Sequence, residues 1–250
     1  EARPAVDRHF DHAALGEVQA GPDGYYAAAL ASADLGVGQR GTNSFYVLQL
    51  VRHRSEPRWW LFRRWGRMGQ EGRSTYAEFA KQAKAERQFR AVYLQKTGGA
   101  WEERAHAAKQ PGKLFPVALD HEAAAAVALV GDAPSALEPR LARAVALLFD
   151  VDLQLATMRS MNISTRRLPL GRLQRSQLER GFAALDELAA ALHAPAGPAR
   201  AVRLQDLSNR FYTLVPHEFA AAPPPLDSAA AVQAKQRHLE LLADMEVARC

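Results

Sequence analysis

Between Trp59 and Arg73 the chain reads Trp-Trp-Leu-Phe-Arg-Arg-Trp-Gly-Arg-Met-Gly-Gln-Glu-Gly-Arg, and few folds accommodate such a run. Three of the four tryptophans stand here, interleaved with Arg63, Arg64, Arg67 and Arg73, and Gly66, Gly69 and Gly72 follow the last aromatic. An alternating aromatic run that ends in glycine-rich turn chemistry predicts a strand entering a tight turn. A core strand uses the aromatics but has no use for the arginines. A surface that stacks on sugars or bases and neutralises phosphates uses both. Spacing alone leaves a plainer alternative open, a strand with one buried and one solvated face.

Charge is segregated in the same direction. Residues 43–115 hold 15 Lys and Arg against 6 Asp and Glu, a net of +9. Residues 1–42 are at −3 and residues 116–250 at −1, although the whole chain is only at +5. A polyanionic partner is therefore expected for one region. No apolar run approaches the roughly 20 residues of a membrane helix, so no membrane role is expected. The single cysteine, Cys250, leaves no disulfide framework or cysteine zinc site within the chain. The histidines lack metal-ligand spacing and no glycine-rich phosphate loop joins a strand to a helix, so neither a metal nor an ATP site is expected. The first residue is Glu1 rather than Met, which reads as a piece of a longer protein.

The predicted fold class is α+β: a small antiparallel sheet with a packed helix, then an all-α bundle. Residues 1–42, rich in Ala, Gly and Asp, read as a leading segment that partly covers the sheet. Tyr25 to Leu30 is readable either as a short strand or as a helical turn. Residues 44–52 predict a central strand buried on both faces, and 58–68 the next strand. Gly69 to Ser74 reads as a loop. From Thr75 to Lys96 no Gly or Pro intervenes, and Phe79, Ala83, Phe89 and Tyr93 predict a helix ended by Gly98. Residues 114–119 close the unit as a strand. Residues 121–136 read as a linker.

Beyond it, 137–148 and 154–161 predict helices. Ser176 and Glu179 have capping-box spacing ahead of an amphipathic helix carrying Leu178, Phe182, Leu185, Leu188 and Leu192, which Pro195 and Pro198 stop. A last helix is predicted from Ala229 to Arg249, with Val232, Leu239, Leu242 and Met245 inward.

Four ordered blocks carry a resemblance: Asn43-Ser44-Phe45-Tyr46-Val47-Leu48-Gln49-Leu50, Trp65-Gly66-Arg67-Met68-Gly69, Lys96-Thr97-Gly98-Gly99-Ala100-Trp101 and Pro111-Gly112-Lys113. Together they resemble the WGR domain of poly(ADP-ribose) polymerases. Two later blocks, Leu168-Pro169-Leu170-Gly171-Arg172-Leu173 and Ser208-Asn209-Arg210-Phe211-Tyr212-Thr213-Leu214-Val215-Pro216-His217, resemble the helical regulatory domain of the same family. The implied organisation is a leading segment (1–19), a DNA-break-binding domain (20–120), a linker (121–136) and an autoinhibitory helical domain (137–250).

The resemblance implies that Trp65 packs on the exposed end of a broken strand while Arg67 meets phosphate, with Gly66 keeping the backbone open. Asn43 is implied near the broken end, and Arg73 and Lys113 as phosphate partners. Several relatives carry Lys where Ser44 stands, so that phosphate contact is expected either to be absent here or to be supplied elsewhere, by Arg40 or Arg73. Leu114, followed by Phe115, replaces a family tyrosine. Leu178, Phe182, Leu185, Leu239 and Leu242 are implied as regulatory positions that gate NAD+ access to a transferase domain expected downstream. This chain carries no catalytic residue of its own on that reading, and NAD+ is the substrate of the absent domain. A nuclear location follows if the source is eukaryotic. The alternatives are a non-enzymatic repair or chromatin adaptor and a module whose basic surface meets an acidic protein. Tyr46, Trp59, Trp60 and Trp101 are expected mainly as packing residues, Lys81, Lys84, Arg87 and Arg90 as a solvated helix face, and His217 as a turn residue.

Overall fold

A computed structural model describes residues 3–36, 41–120, 172–217, 219 and 223–247. In chain order the strands are β1 (Gly16–Val18), β2 (Ala20–Gly21), β3 (Gly24–Tyr25), β4 (Ala27–Asp34), β5 (Thr42–His53), β6 (Trp59–Arg67), β7 (Arg73–Phe79), β8 (Phe115–Val117), β9 (Leu119–Asp120) and β10 (Arg172–Leu173). The described helices are α1 (Gln82–Thr97), α2 (Arg175–Leu192), α3 (Pro198–Leu214) and α4 (Ala229–Val247). The main sheet is antiparallel in the order β7-β6-β5-β4-β8, with β1 also on β5.

Strand alternation sorts the sheet into two faces. Tyr26, Leu30, Leu48, Leu50 and Leu61 pack under Phe89, Val92 and Tyr93 of α1, with Trp101 closing the layer. Val47, Val51, Trp60 and Phe62 point the other way, under Phe10 with Val6 and Ala13 at the margin. Residues 3–18 therefore lie on the sheet as one of its layers, covering it as the sequence reading expected of the leading segment. Burying Phe10, at 2 % exposure, stabilises by about 2–3 kcal/mol. The carboxamide of the fully buried Gln49 ties this layer down, accepting from Asp7 N–H (2.9 Å) and donating to Ala5 O (2.9 Å).

Several expectations change. Tyr25 to Leu30 resolves as strand, β3 running into β4. Thr75 to Phe79 belongs to β7, and helix begins only at Gln82. Pairing with β6 overrides the missing breaker there: Thr75, Ala77 and Phe79 sit opposite Arg63, Leu61 and Trp59. Within α1 the inward alanine is Ala85, not Ala83. The capping box at Ser176 does not form, because α2 starts two residues earlier with Gln174 at its N-cap. Pro198 opens α3 rather than stopping anything. Its fixed φ and missing N–H suit a first-turn position. The helices predicted at 137–148 and 154–161 lie outside the described residues.

The helical unit has its own core of Leu178, Leu185, Leu188, Leu204, Phe211, Leu226, Val232 and Leu239. Ala33 of β4 and Phe115 of β8 belong to the same cluster, so the two units share one continuous apolar seam.

Candidate nucleic-acid interface

Register places Arg73, Trp65, Tyr46 and Leu30 in one row across β7, β6, β5 and β4, all on the α1 face. Trp59 and Leu61 are covered by α1. Trp65, further along the same strand face, is 39 % exposed. Its indole stacks on the buried Tyr46 ring, centroids 6.1 Å apart and planes at 21°. The Lys96 ammonium stands 4.9 Å from the centroid of the Tyr46 ring. Arg63 lies beside the Tyr46 hydroxyl, whose pKa burial raises and this guanidinium opposes. The result is an aromatic plate held rigid from beneath and bordered by cations. Among the described residues none of Arg63, Arg73 and Lys96 is paired with a carboxylate.

The residues named from sequence divide. Trp65, Arg67 and Arg73 share this face through the strand period and the register. Lys113 stands at the C-terminal end of α1 and donates to Gln95 O at 3.0 Å, where a cation complements the helix dipole. Gly66 serves a close approach within the chain itself. A Cβ there would sit 2.7 Å from Gly72 Cα and 3.3 Å from Phe45 Cε1, so the glycine lets the hairpin close on itself. Gly72 has φ of +79°, and its Cβ would meet Trp65 O at 2.5 Å. Gly72→Ala is therefore expected to cost about 2–4 kcal/mol, from left-handed strain plus overpacking. A denaturation midpoint equal to that of the parent would contradict it.

Asn43 does not join the surface. It is 3 % exposed, and its amide donates to His217 O at 2.7 Å, in the helical unit. Arg64 is also misassigned by composition. It is buried on the opposite face, donating to Asp7 Oδ2 (2.9 Å) and Glu71 O (2.7 Å) and lying over the Phe45 ring. Leu114 packs against the α1 core and Phe115 is buried in the seam, so neither presents its side chain to solvent as a free plate. Arg40 lies outside the described residues. Sequence reading missed Lys96 as part of the site and named Arg63 only together with its neighbouring arginines. Lys96 falls inside one of the four family-like blocks, but only the fold brings it onto Tyr46. Tyr46, Trp60 and Trp101 are buried, as expected of packing residues.

The Asn43 backbone links this surface to the seam. Met68 N–H, next to Arg67, donates to Asn43 O (2.8 Å), while the side chain of the same residue holds His217. Beyond the end of β8, side chains of α3 take over the edge of β4. Ala33 N–H donates to Thr213 Oγ1 (3.0 Å) and Leu35 N–H to Asn209 Oδ1 (2.6 Å). Ser208 Oγ accepts from Leu226 N–H and the Tyr212 hydroxyl donates to Pro224 O, so the Ser208–His217 block is spent on assembly. Leu178, Leu185 and Leu239 are buried in the bundle core, with Phe182 and Leu242 at its margin.

His217 is buried, with Nδ1 donating to Val215 O (2.6 Å). Burial, then the nearby Lys235 charge, pushes its pKa down to about 3. The unfolded chain takes up that proton near pH 6.5 and the folded chain does not. The contribution of His217 to stability is thus complete above about pH 6.5 and is lost as pH falls towards 3, by up to about 1.4 kcal/mol per pH unit. Melting curves between pH 7 and 5 are expected to show this slope, and His217→Gln to flatten it. An unchanged slope in the variant would assign the acid sensitivity elsewhere.

A family model described as WGR domain matches residues 31–108, and one described as Poly(ADP-ribose) polymerase, regulatory domain matches residues 135–250. The chain is 34 % identical over 229 residues to Poly [ADP-ribose] polymerase 1 of Xenopus laevis, covering 89 % of this chain and 22 % of that protein. It is 34 % identical over 224 residues to Protein mono-ADP-ribosyltransferase PARP3 of Homo sapiens, covering 84 % of this chain and 42 % of the relative. It is 37 % identical over 220 residues to the Gallus gallus protein of the latter name, covering 83 % and 41 %. The chain thus spans between about a fifth and two-fifths of the length of these relatives.

Proposed function

Because this chain belongs to the poly(ADP-ribose) polymerase family, as a WGR domain followed by that family's regulatory domain, we propose that it is the DNA-break-sensing and regulatory portion of an NAD+ ADP-ribosyltransferase. The observation that carries this reading is the exposed Trp65 indole, braced on Tyr46 and bordered by Arg63, Arg73 and Lys96. A flat apolar plate beside guanidinium groups suits the unstacked end of a duplex and its phosphates.

The seam supplies a route for regulation. A DNA end gripping Trp65 and Arg67 bears on the strand whose next residue, Met68, is hydrogen-bonded to Asn43, and Asn43 holds the helical unit. DNA shifts the helices only if it binds one arrangement of that seam better than the other. In the proposed parent protein the helices gate NAD+ access to a downstream transferase domain.

The test compares nicked and blunt-ended duplexes with covalently closed circles of the same sequence, across a salt series. Preference for ends that persists as salt weakens overall binding supports end recognition. Equal affinity for all three forms, falling together with salt, would reduce the site to a non-specific cationic surface.

A further inference from the structure

On the side of the sheet where β4 meets β8, a cleft of about 360 Å³ opens between the sheet unit and α2. Its lining includes Ala27 to Ala29 of β4, Tyr93, Trp101, Arg104, Ser176 and Arg180. Three features of that wall have the same sign. Arg104 Cζ stands over the Trp101 ring, 4.2 Å from its centroid, with the guanidinium held by the carbonyls of Trp101 and Asp23. Arg180 reaches across from α2 to Ala105 O at 3.2 Å. The first turn of α2, an 18-residue helix, holds no acidic residue, and Ser176 stands there at the cleft. Both arginines are held by backbone carbonyls, and among the described residues neither forms a close ion pair, although the Glu102 carboxylate interacts with the Arg104 charge.

The fourth feature is a buried donor without a close partner. Tyr93 is 1 % exposed and its hydroxyl has no partner at ordinary hydrogen-bonding distance, the Thr97 side chain interacting with it only from beyond that distance. The Thr97 hydroxyl, one turn along, donates to the backbone carbonyl of Tyr93 instead, at 2.8 Å. A buried hydroxyl of this kind is destabilising unless something else satisfies it. Burial pushes its pKa up to about 12, with Arg104 and then Thr97 opposing, so at neutral pH it is a hydroxyl with a proton to donate. A tyrosine donor, two guanidinium groups and a helix N-terminus lining one roomy cleft call for an oxyanion.

We propose that this cleft is a binding site for a phosphate group, free or carried on a small molecule, and that the bound anion ties α2 to the sheet unit by bridging Arg180 to Arg104. The Trp101 ring and the alanine floor of β4 give room and apolar surface for an attached organic group. The site lies apart from the Trp65 row and does not depend on DNA binding. Since it spans the two units, occupancy stabilises their contact increasingly as ligand concentration rises above the dissociation constant.

The experiment is calorimetric titration of the whole 250-residue chain at constant ionic strength, with inorganic phosphate in one arm and adenosine monophosphate in the other. Saturable binding is expected in the parent, and Arg180→Gln and Tyr93→Phe are each expected to weaken it about tenfold or more. Arg67→Ala should leave it unchanged, which separates this cleft from the DNA surface. Tighter binding of the nucleotide assigns the organic pocket as part of the site, and equal binding assigns a bare anion site. Tyr93→Phe should also melt no lower than the parent in phosphate-free buffer, because the hydroxyl has no close partner there. Absence of binding in the parent, binding indifferent to both cleft variants, or a Tyr93→Phe chain destabilised without ligand would each overturn the proposal.

Discussion

Replacing Asp7 by alanine is expected to destabilise the protein by about 3–5 kcal/mol, a large share of the net stability of an ordinary domain. Asp7 is 4 % exposed, and its carboxylate holds the guanidinium of Arg64, itself 6 % exposed, at 2.9 Å. The second carboxylate oxygen takes the backbone N–H of His9 at 2.9 Å and faces the His9 ring at 3.0 Å. The pair therefore pins the layer of residues 3–18 to β6, and Arg64 extends the tie to the carbonyl of Glu71 in the glycine-rich loop. Loss of the carboxylate leaves a cation buried against Phe45 with one carbonyl partner, and uncompensated burial of charge is the costly part. Urea unfolding of Asp7→Ala, of Arg64→Met and of the double variant measures this directly. The double variant should recover much of the loss, because removing both charges abolishes the burial penalty. A single variant that loses less than about 1 kcal/mol would show the pair to be solvated rather than buried.

The second large effect concerns binding. Trp65→Ala combined with Arg67→Ala should erase the preference for DNA ends. Base-aromatic stacking contributes about 1–3 kcal/mol per base. A charged hydrogen bond to phosphate adds about 1.5–3 kcal/mol. The combined loss corresponds to about a hundredfold or more in affinity for ends. Residual binding from the remaining Lys and Arg of residues 43–115 should be equal for linear and circular DNA and fall with salt. Fold stability should change little, since Trp65 is 39 % exposed and its stacking on Tyr46 uses only the inner side of the ring. If the double variant still prefers ends, Arg73 and Lys96 with some other plate must form the site, and the assignment of Trp65 fails.

Residues close together in sequence decided a good deal about this protein. The near-continuous apolar run through 44–52, the aromatic run of 58–68, the apolar spacing of Leu178, Leu185 and Leu188, and the segregation of positive charge are all local patterns. The α+β class and the family followed from them and from the ordered blocks. What was legible about the site was its chemistry: an aromatic strand with arginines and glycines around it.

Tertiary structure decided which of those residues face outward. Arg63 and Arg64 are adjacent and identical in kind, yet one borders the exposed plate and the other is buried with Asp7. Strand parity puts neighbours on opposite faces, but only a partner from 57 residues away determines which face is covered. The same holds for Asn43, whose partner in the seam is 174 residues distant, and for Thr213, which pairs with Ala33 across 180 residues. It holds again for Thr75 to Phe79, whose composition permits a helix and whose position beside β6 requires a strand. Periodicity acts within a turn or a pleat, so it is written in short stretches of sequence. Burial, charge pairing and edge completion depend on chain segments that meet only after folding, and no short stretch contains that information.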